Sequence, residues 1–224
     1  MKSGNRTYDC PRDLPAVMPV FPLAAALLLP RSDMPLNIFE PRYLAMIDAA
    51  LCGDRVIGMI QPDQAVPPLP CGPALCAVGC AGRITSFAET GDGRYMINLT
   101  GVARFRIIDE LAATTLFRQC RVTAAPFAVD FAACPGDDAV DRDSVLRTFC
   151  AYMKAHNLEA DWESVGRASN ETLVNALAMM APFCAAEKQA LLEAPDLRAR
   201  AETLVAITEM TLAGTAGGAG RILQ

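Results

Sequence analysis

The sequence is short of several features that would announce an activity. It holds one histidine, His156, and one tryptophan, Trp162, among 224 residues. A Ser-His-Asp or Cys-His relay would have to run through that single imidazole. No Gly-x-Ser-x-Gly elbow occurs. Nor does a Gly-x-x-x-x-Gly-Lys-Ser/Thr loop, which removes the usual backbone cradle for nucleotide phosphates. A basic surplus is also missing: 20 Lys plus Arg stand against 25 Asp plus Glu, for −5 at neutral pH. Nonspecific binding to a phosphate backbone normally draws on such a surplus, so the charge argues against nucleic acid. Long apolar runs are absent too. The longest candidate, residues 17–30, contains Pro19, Pro22 and Pro30 and is too short to span a bilayer. Pro11, Pro15 and Pro19 break up any amino-terminal targeting segment. The expectation is a cytoplasmic protein without membrane contact.

Cysteine is plentiful, but the nine residues form an odd number in a chain too large to need a disulfide scaffold. Cys71, Cys76 and Cys80 form the tightest group, at spacings of five and four, without the paired short gaps of structural zinc sites. The expectation is reduced cysteines serving as small apolar residues, with neither metal nor cofactor.

With 52% hydrophobic and 20% charged residues, the chain has enough apolar side chain for one large core or two small ones. Its hydrophobic period changes along its length. Up to about residue 130 it reads as strands: Arg55–Ile60, Ala77–Ala88, Arg94–Ile108 and Leu116–Val122. Gly91 and Gly93 suit a tight antiparallel connection between the two longest. In the second of these, Tyr95, Ile97, Leu99, Ala103, Phe105 and Ile107 share one parity and Arg104 and Arg106 the other, with Gly101 placed for a bulge. One helix interrupts this half. Phe39, Tyr43, Met46, Ile47 and Ala50 recur at helical spacing, Pro41 suits a first turn, and Gly53 stops it. Five prolines within residues 61–76 predict an extended excursion in place of a strand.

From about residue 139 the period is helical. Val145, Phe149, Tyr152 and Met153 share a face of a helix ending near Asn157. Ser169 is placed to cap the next helix, which buries Leu173, Ala176, Leu177 and Met180. A short helix over 185–193 follows, and a last one runs from Asp196 until Gly214 stops it. Residues 1–130 carry 12 basic and 12 acidic side chains, while 131–224 carry 8 and 13. Period and charge change together, which predicts a flexible segment over 1–16, a β-rich part over 17–130, a hinge over 130–143, helices over 139–213 and a loose tail over 214–224.

Several stretches carry a resemblance. Val20-Phe21-Pro22-Leu23, Met34-Pro35-Leu36 and Ile38-Phe39-Glu40-Pro41-Arg42-Tyr43 are similar to the opening of the amino-terminal, substrate-recognition domain of the ATP-dependent Lon proteases. Ile57-Gly58-Met59, the run Val78–Ile84, the hairpin strand Asn98–Phe105 and the late helices resemble later parts of that domain, over roughly residues 17–213 in all. The resemblance implies an α+β fold: a PUA-like pseudobarrel of about six mostly antiparallel strands with a short capping helix, then a bundle of about four helices. It further implies a non-catalytic module for protein or peptide recognition, whose partners are unfolded or extended protein segments, with a protease complex as a further candidate. The chain is most similar in organisation to short bacterial forms that lack the ATPase and protease domains. The rival readings are an RNA-associated PUA-like protein and, behind it, a hydrolase.

Phe21, Pro22, Leu36, Ile38, Phe39, Glu40, Pro41, Arg42 and Tyr43 are expected to act as scaffold joining strand, turn and helix. Glu40 is placed to accept N–H bonds at the helix start, Arg42 to pair with a carboxylate and Tyr43 to fill the barrel end. Arg83, Arg104 and Arg106 are the candidate binding surface, projecting from a sheet face; the alternative is that this face serves the helical part, the arginines bonding to its acidic side chains.

Overall fold

The protein is described by a computed structural model covering residues 1–68, 72–112, 114–133, 136–156 and 162–218. It folds as two compact units, Met1–Ala133 and Cys134–Gln224.

The first unit is built from strands β1 (Lys2–Ser3), β2 (Arg6–Thr7), β3 (Val17–Pro22), β4 (Asp33–Ile38), β5 (Val56–Ile60), β6 (Val78–Glu89), β7 (Tyr95–Glu110) and β8 (Gln119–Thr123), with helix α1 (Pro41–Cys52) between β4 and β5. The six longer strands form one mixed sheet in the order β4-β7-β6-β5-β3-β8, and a further β7–β8 pairing curls it closed. Among the described residues only β3–β5 is parallel in this sheet; its other five pairings are antiparallel. This is the α+β pseudobarrel with its short helix that the resemblance implied. The four strands read from hydrophobic period are all present, the last shortened to Gln119–Thr123.

Two turns of chemistry shape the β6–β7 hairpin. Gly91 and Gly93 sit at φ of +79° and +83°, which side chains with a Cβ adopt only at a cost, and so close the loop tightly. At Gly101 the register shifts: Ala81 faces Ala103 while Gly82 faces Gly101, leaving Val102 as the extra residue. A Cβ at Gly101 would strike the carbonyl of Leu29, so this bulge requires glycine. Around it Met18, Val20, Val56, Ala81, Phe105 and Cys120 form the barrel core.

Alternation fails beyond the bulge. Residues 101–105 are all buried, because the segment Ala125–Phe131, a run of 3-10 turns, covers the second face of β7. Arg104, 1% exposed, lies beneath it. Its Nε and Nη2 donate to the two carboxylate oxygens of Asp130 at 2.9 and 2.8 Å, and its backbone N–H donates to Oδ2 at 2.9 Å. The Phe127 ring stands 4.8 Å from the guanidinium carbon. The sequence reading had put Asp130 at the start of a hinge; it is instead a buried anchor of the first unit.

The amino terminus differs from its expected flexibility in the same way. Lys2–Ser3 pairs with Arg6–Thr7, and Tyr8 is fully buried. The Met1 ammonium donates to the Tyr8 carbonyl at 2.7 Å. In the proline-rich excursion, the described residues tie its two ends together: Asp63 N–H donates to Ala74 O and Cys76 N–H to Gln61 O, at 2.8 and 2.9 Å. Pro70 and Cys71 lie outside the described residues.

The second unit comprises α2 (Arg142–Ala155), α3 (Trp162–Arg167), α4 (Asn170–Met180), α5 (Ala185–Glu193) and α6 (Leu197–Gly218). Its extra helix relative to the expected four is the short α3. Asp141 caps α2 by accepting from Ser144 N–H at 3.0 Å, and Ser169 caps α4 by accepting from Thr172 N–H at 3.1 Å. Asn157, the expected end of α2, lies outside the described residues. Gly214 does not end α6, which continues to Gly218 and takes up the first part of the expected loose tail. An interior glycine costs a helix about 1 kcal/mol, which tilts a boundary without setting it. Residues 219–224 lie outside the described residues. No described helix is long and apolar enough to cross a membrane.

Removing one member of a buried ion pair strands the other, at a cost of about 3–5 kcal/mol. Asp130→Ala is therefore expected to lower the unfolding free energy by about that amount in urea titration, and Arg104→Met with Asp130→Leu to recover most of it. The buried Cys120 thiol offers a second check. Burial pushes it up to about 11 from an ordinary 9.0. Between those values the unfolded chain has released a proton that the folded chain keeps, so this group's contribution to stability falls as pH rises through 9. Cys120→Ala should show a shallower alkaline loss of stability, and native alkylation should mark the exposed Cys52 and Cys184 well before Cys120.

Candidate functional site

The motif around α1 resolves into separate roles. Phe21 of β3 and Tyr43 of α1 are buried together with ring centroids 4.3 Å apart. Burial in this contact pushes the Tyr43 hydroxyl above its ordinary pKa. Ile38 is buried at the end of β4; Leu36 and Pro22 are half-buried in β4 and β3. Pro41 occupies the first turn of α1. Glu40 precedes the helix without capping it through its side chain, which corrects the expectation that it accepts N–H bonds there. Its Oε2 instead takes Arg42 Nη2 at 2.7 Å, both side chains being partly exposed. Arg42 also covers the Tyr43 ring at 4.4 Å. Phe39 is corrected as well. It precedes the helix and is 61% exposed, so it takes no part in the buried stripe.

The three arginines do not form one surface. Arg104 is buried on Asp130. Arg83, also buried, donates to Tyr8 Oη at 3.3 Å, Asp54 O at 2.8 Å and Asn5 Oδ1 at 3.1 Å, holding the amino terminus against the loop after α1. Arg106 alone is exposed. Strand parity put Arg104 and Arg106 in view, but it gives no account of segments that later fold over the sheet.

Within the helical unit lies a feature that period analysis did not reach, an apolar cavity of about 480 Å³. One wall is α2, through Val145, Phe149 and Met153; α4 and the turn after it supply Leu177, Met180 and Phe183. Leu204 and Val205 of α6 close the far side. Most of these residues belong to the faces read as core from sequence. The helical period marks which side is apolar but carries no information about whether facing sides meet. Met180, expected on the buried side of α4, is corrected: it stands 75% exposed in the last turn of the helix, at the edge of the cavity it lines.

Polar groups in the cavity are few. Thr208 spends its hydroxyl on the Leu204 carbonyl at 2.7 Å. Thr148 and Tyr152 are 9% and 8% exposed, and neither hydroxyl has a hydrogen-bond partner among the described residues. Burial raises the Tyr152 phenol above its ordinary pKa. The His156 ring, just past α2, packs on Tyr152 with centroids 4.3 Å apart. Beyond the cavity, cations close helix ends. Lys188 Nζ donates to Met179 O at 3.3 Å near the end of α4, and Arg200 Nε to Leu191 O at 3.0 Å near the end of α5. Burial lowers the Lys188 pKa. Among the described residues no three His, Cys, Asp or Glu side chains cluster as a metal site would require.

The family model of the ATP-dependent protease La (Lon) substrate-binding domain matches residues 17–209. The chain belongs to that family. This family's domain is a non-catalytic module. The N-terminal domain of a Lon protease from the Mycobacterium avium complex superposes with a TM-score of 0.63 at 19% identity, over 86% of this chain and 98% of that one. A Lon N-terminal domain protein from Xanthomonas campestris does so with 0.59 at 22%, over 85% and 97%. At those identities the likeness is one of fold. Lon protease 2 of Myxococcus xanthus is 30% identical over 112 residues, which are 50% of this chain and 13% of that protein. Lon protease 2 of Sorangium cellulosum is 24% identical over 205 residues, 85% of this chain and 24% of its own length. The chain thus spans a quarter or less of these curated relatives.

An exposed pair such as Glu40–Arg42 contributes about 1 kcal/mol or less, whereas deleting a buried aromatic ring costs about 3–5 kcal/mol. Glu40→Gln is accordingly expected to leave the thermal midpoint nearly unchanged, and Tyr43→Ala to lower it by many degrees.

Proposed function

We propose that the chain is a recognition module that binds unfolded or extended protein segments and serves a protease complex in the cytoplasm as adaptor or modulator, without chemistry of its own. The observation that carries this reading is an apolar cavity of about 480 Å³ in a domain of the Lon substrate-binding family. A volume in this range, with apolar walls and few polar groups, suits side chains of a partner better than a polar metabolite. Of the groups that hydrolytic chemistry would need, the Lys188 ammonium meets a backbone carbonyl and the single imidazole stacks on Tyr152 at the cavity wall. The RNA alternative draws no support from Arg83 and Arg104, which are withdrawn from solvent.

The test is binding of a permanently unfolded, basic protein, reduced and carboxamidomethylated ribonuclease, against its native form. The unfolded form should bind saturably with micromolar affinity and the native form should not. Equal binding of both, or of neither, would overturn the recognition reading.

A further inference from the structure

Thr148 and Tyr152 lie four residues apart on one line of α2, and His156, four further on, is the residue that caps its end. All three line the apolar cavity. The two hydroxyls are unpartnered in side chains more than nine-tenths buried, yet Ser3 Oγ is the one described side-chain polar atom both wholly occluded and unsatisfied. The Thr148 and Tyr152 hydroxyls are therefore within reach of water at the wall of the cavity that they line. A ligand carrying polar groups along an apolar body would exchange that water for direct hydrogen bonds while its apolar part fills the cavity.

The spacing narrows the class of ligand. Four helical residues advance about 6 Å, close to the roughly 6.7 Å at which an extended chain repeats its side chains and backbone groups on one side. A peptide lying along α2 would meet the hydroxyl line at successive alternate residues while its side chains enter the apolar space toward Leu177, Leu204 and Val205. Charge narrows it further. The second unit carries 13 acidic against 8 basic residues, and the exposed Glu209 stands one turn beyond Val205 on α6.

We propose that this cavity docks an extended, neutral-to-basic peptide segment with a leucine or aromatic side chain at alternate positions, its backbone paired with Thr148, Tyr152 and His156. This rests on the recognition reading above and supplies its ligand and its place.

The probe is a fluorescein-labelled peptide of alternating leucine and serine with lysines at both ends, titrated with the full chain by anisotropy. Saturable binding is expected, weakened by replacing the lysines with glutamates. Thr148→Val with Tyr152→Phe keeps the packing and removes both hydroxyls; two lost hydrogen bonds predict roughly 10-fold or greater weakening. Val205→Trp should fill the cavity and abolish binding. Met180→Trp, at the exposed mouth, should weaken it without touching the core. Unchanged affinity in the double hydroxyl variant would overturn the backbone pairing. Unchanged affinity in both tryptophan variants would overturn the site, and capture of carboxamidomethylated ribonuclease by the parent chain would then show that recognition survives elsewhere. Self-association lost in Val205→Trp, with no peptide binding by the parent, would assign the cavity to a second copy.

Discussion

A guanidinium cannot be buried against a sheet unless something brings it a carboxylate, and in the first unit that requirement organises the chain around Arg104. The partner, Asp130, comes from a segment 26 residues later. Seating it lays Ala125–Phe131 across the face of β7 that strand parity would leave to solvent. Once there, the segment becomes an attachment line. Its Asp130 carbonyl accepts from Arg31 Nη1 at 2.5 Å and its Phe131 carbonyl from the Met1 ammonium at 3.4 Å. Arg31 in turn donates its backbone N–H to Gly101, beside the bulge. The connection before β4, the amino terminus and the bulge therefore share one buried charge pair. Such pairs add little to stability in net terms, since desolvation offsets most of the attraction. Their effect is on which arrangement is tolerated: any packing that leaves Arg104 or Asp130 alone is costly.

Much of this fold could be read in the sequence, for reasons visible at particular residues. Local signals were faithful. Period two marked β7, the helical period and Pro41 marked α1, and Ser169 announced the start of α4. Non-local coverage was not legible. Parity placed Arg104 outside, and Arg83 was set beside it on a sheet face, because nothing in their neighbourhood says that Tyr8 or Asp130 will return to meet them. Phe39 fell on a helical period that begins one turn too early, since the chain is still extended at Glu40. The cavity was invisible for a related reason. The apolar faces of α2, α4 and α6 look the same in sequence whether they close on each other or stand apart.

The helical unit shows how its parts are held while that space persists. Arg142 reaches from α2 to the carbonyls of Val165 and Ala168 and to Asn170 Oδ1, at 2.7, 3.0 and 2.7 Å. Asp137 accepts from the Glu171 N–H at 2.8 Å. Arg200 donates to Leu191 O and to Asn175 Oδ1 at 3.0 and 3.1 Å. These bonds act at helix ends and connections. They fix the helices relative to one another without calling on the middle of α2, whose inner face is left to the cavity.

Strand β4 carries a consequence of another kind. Among the described residues it pairs with β7 alone, so one side of Asp33–Ile38 is an open sheet edge. An open edge is a template on which other chains extend, and it is how folded proteins are drawn into aggregates. Pro35 sits in the middle of this one and has no N–H to offer, and Asp33 brings a charge to its start. If the chain binds unfolded polypeptides as proposed, it meets those most prone to add a strand. With its row of donors broken at Pro35, β4 is a poor seed, and recognition at this fold would not pass into co-precipitation.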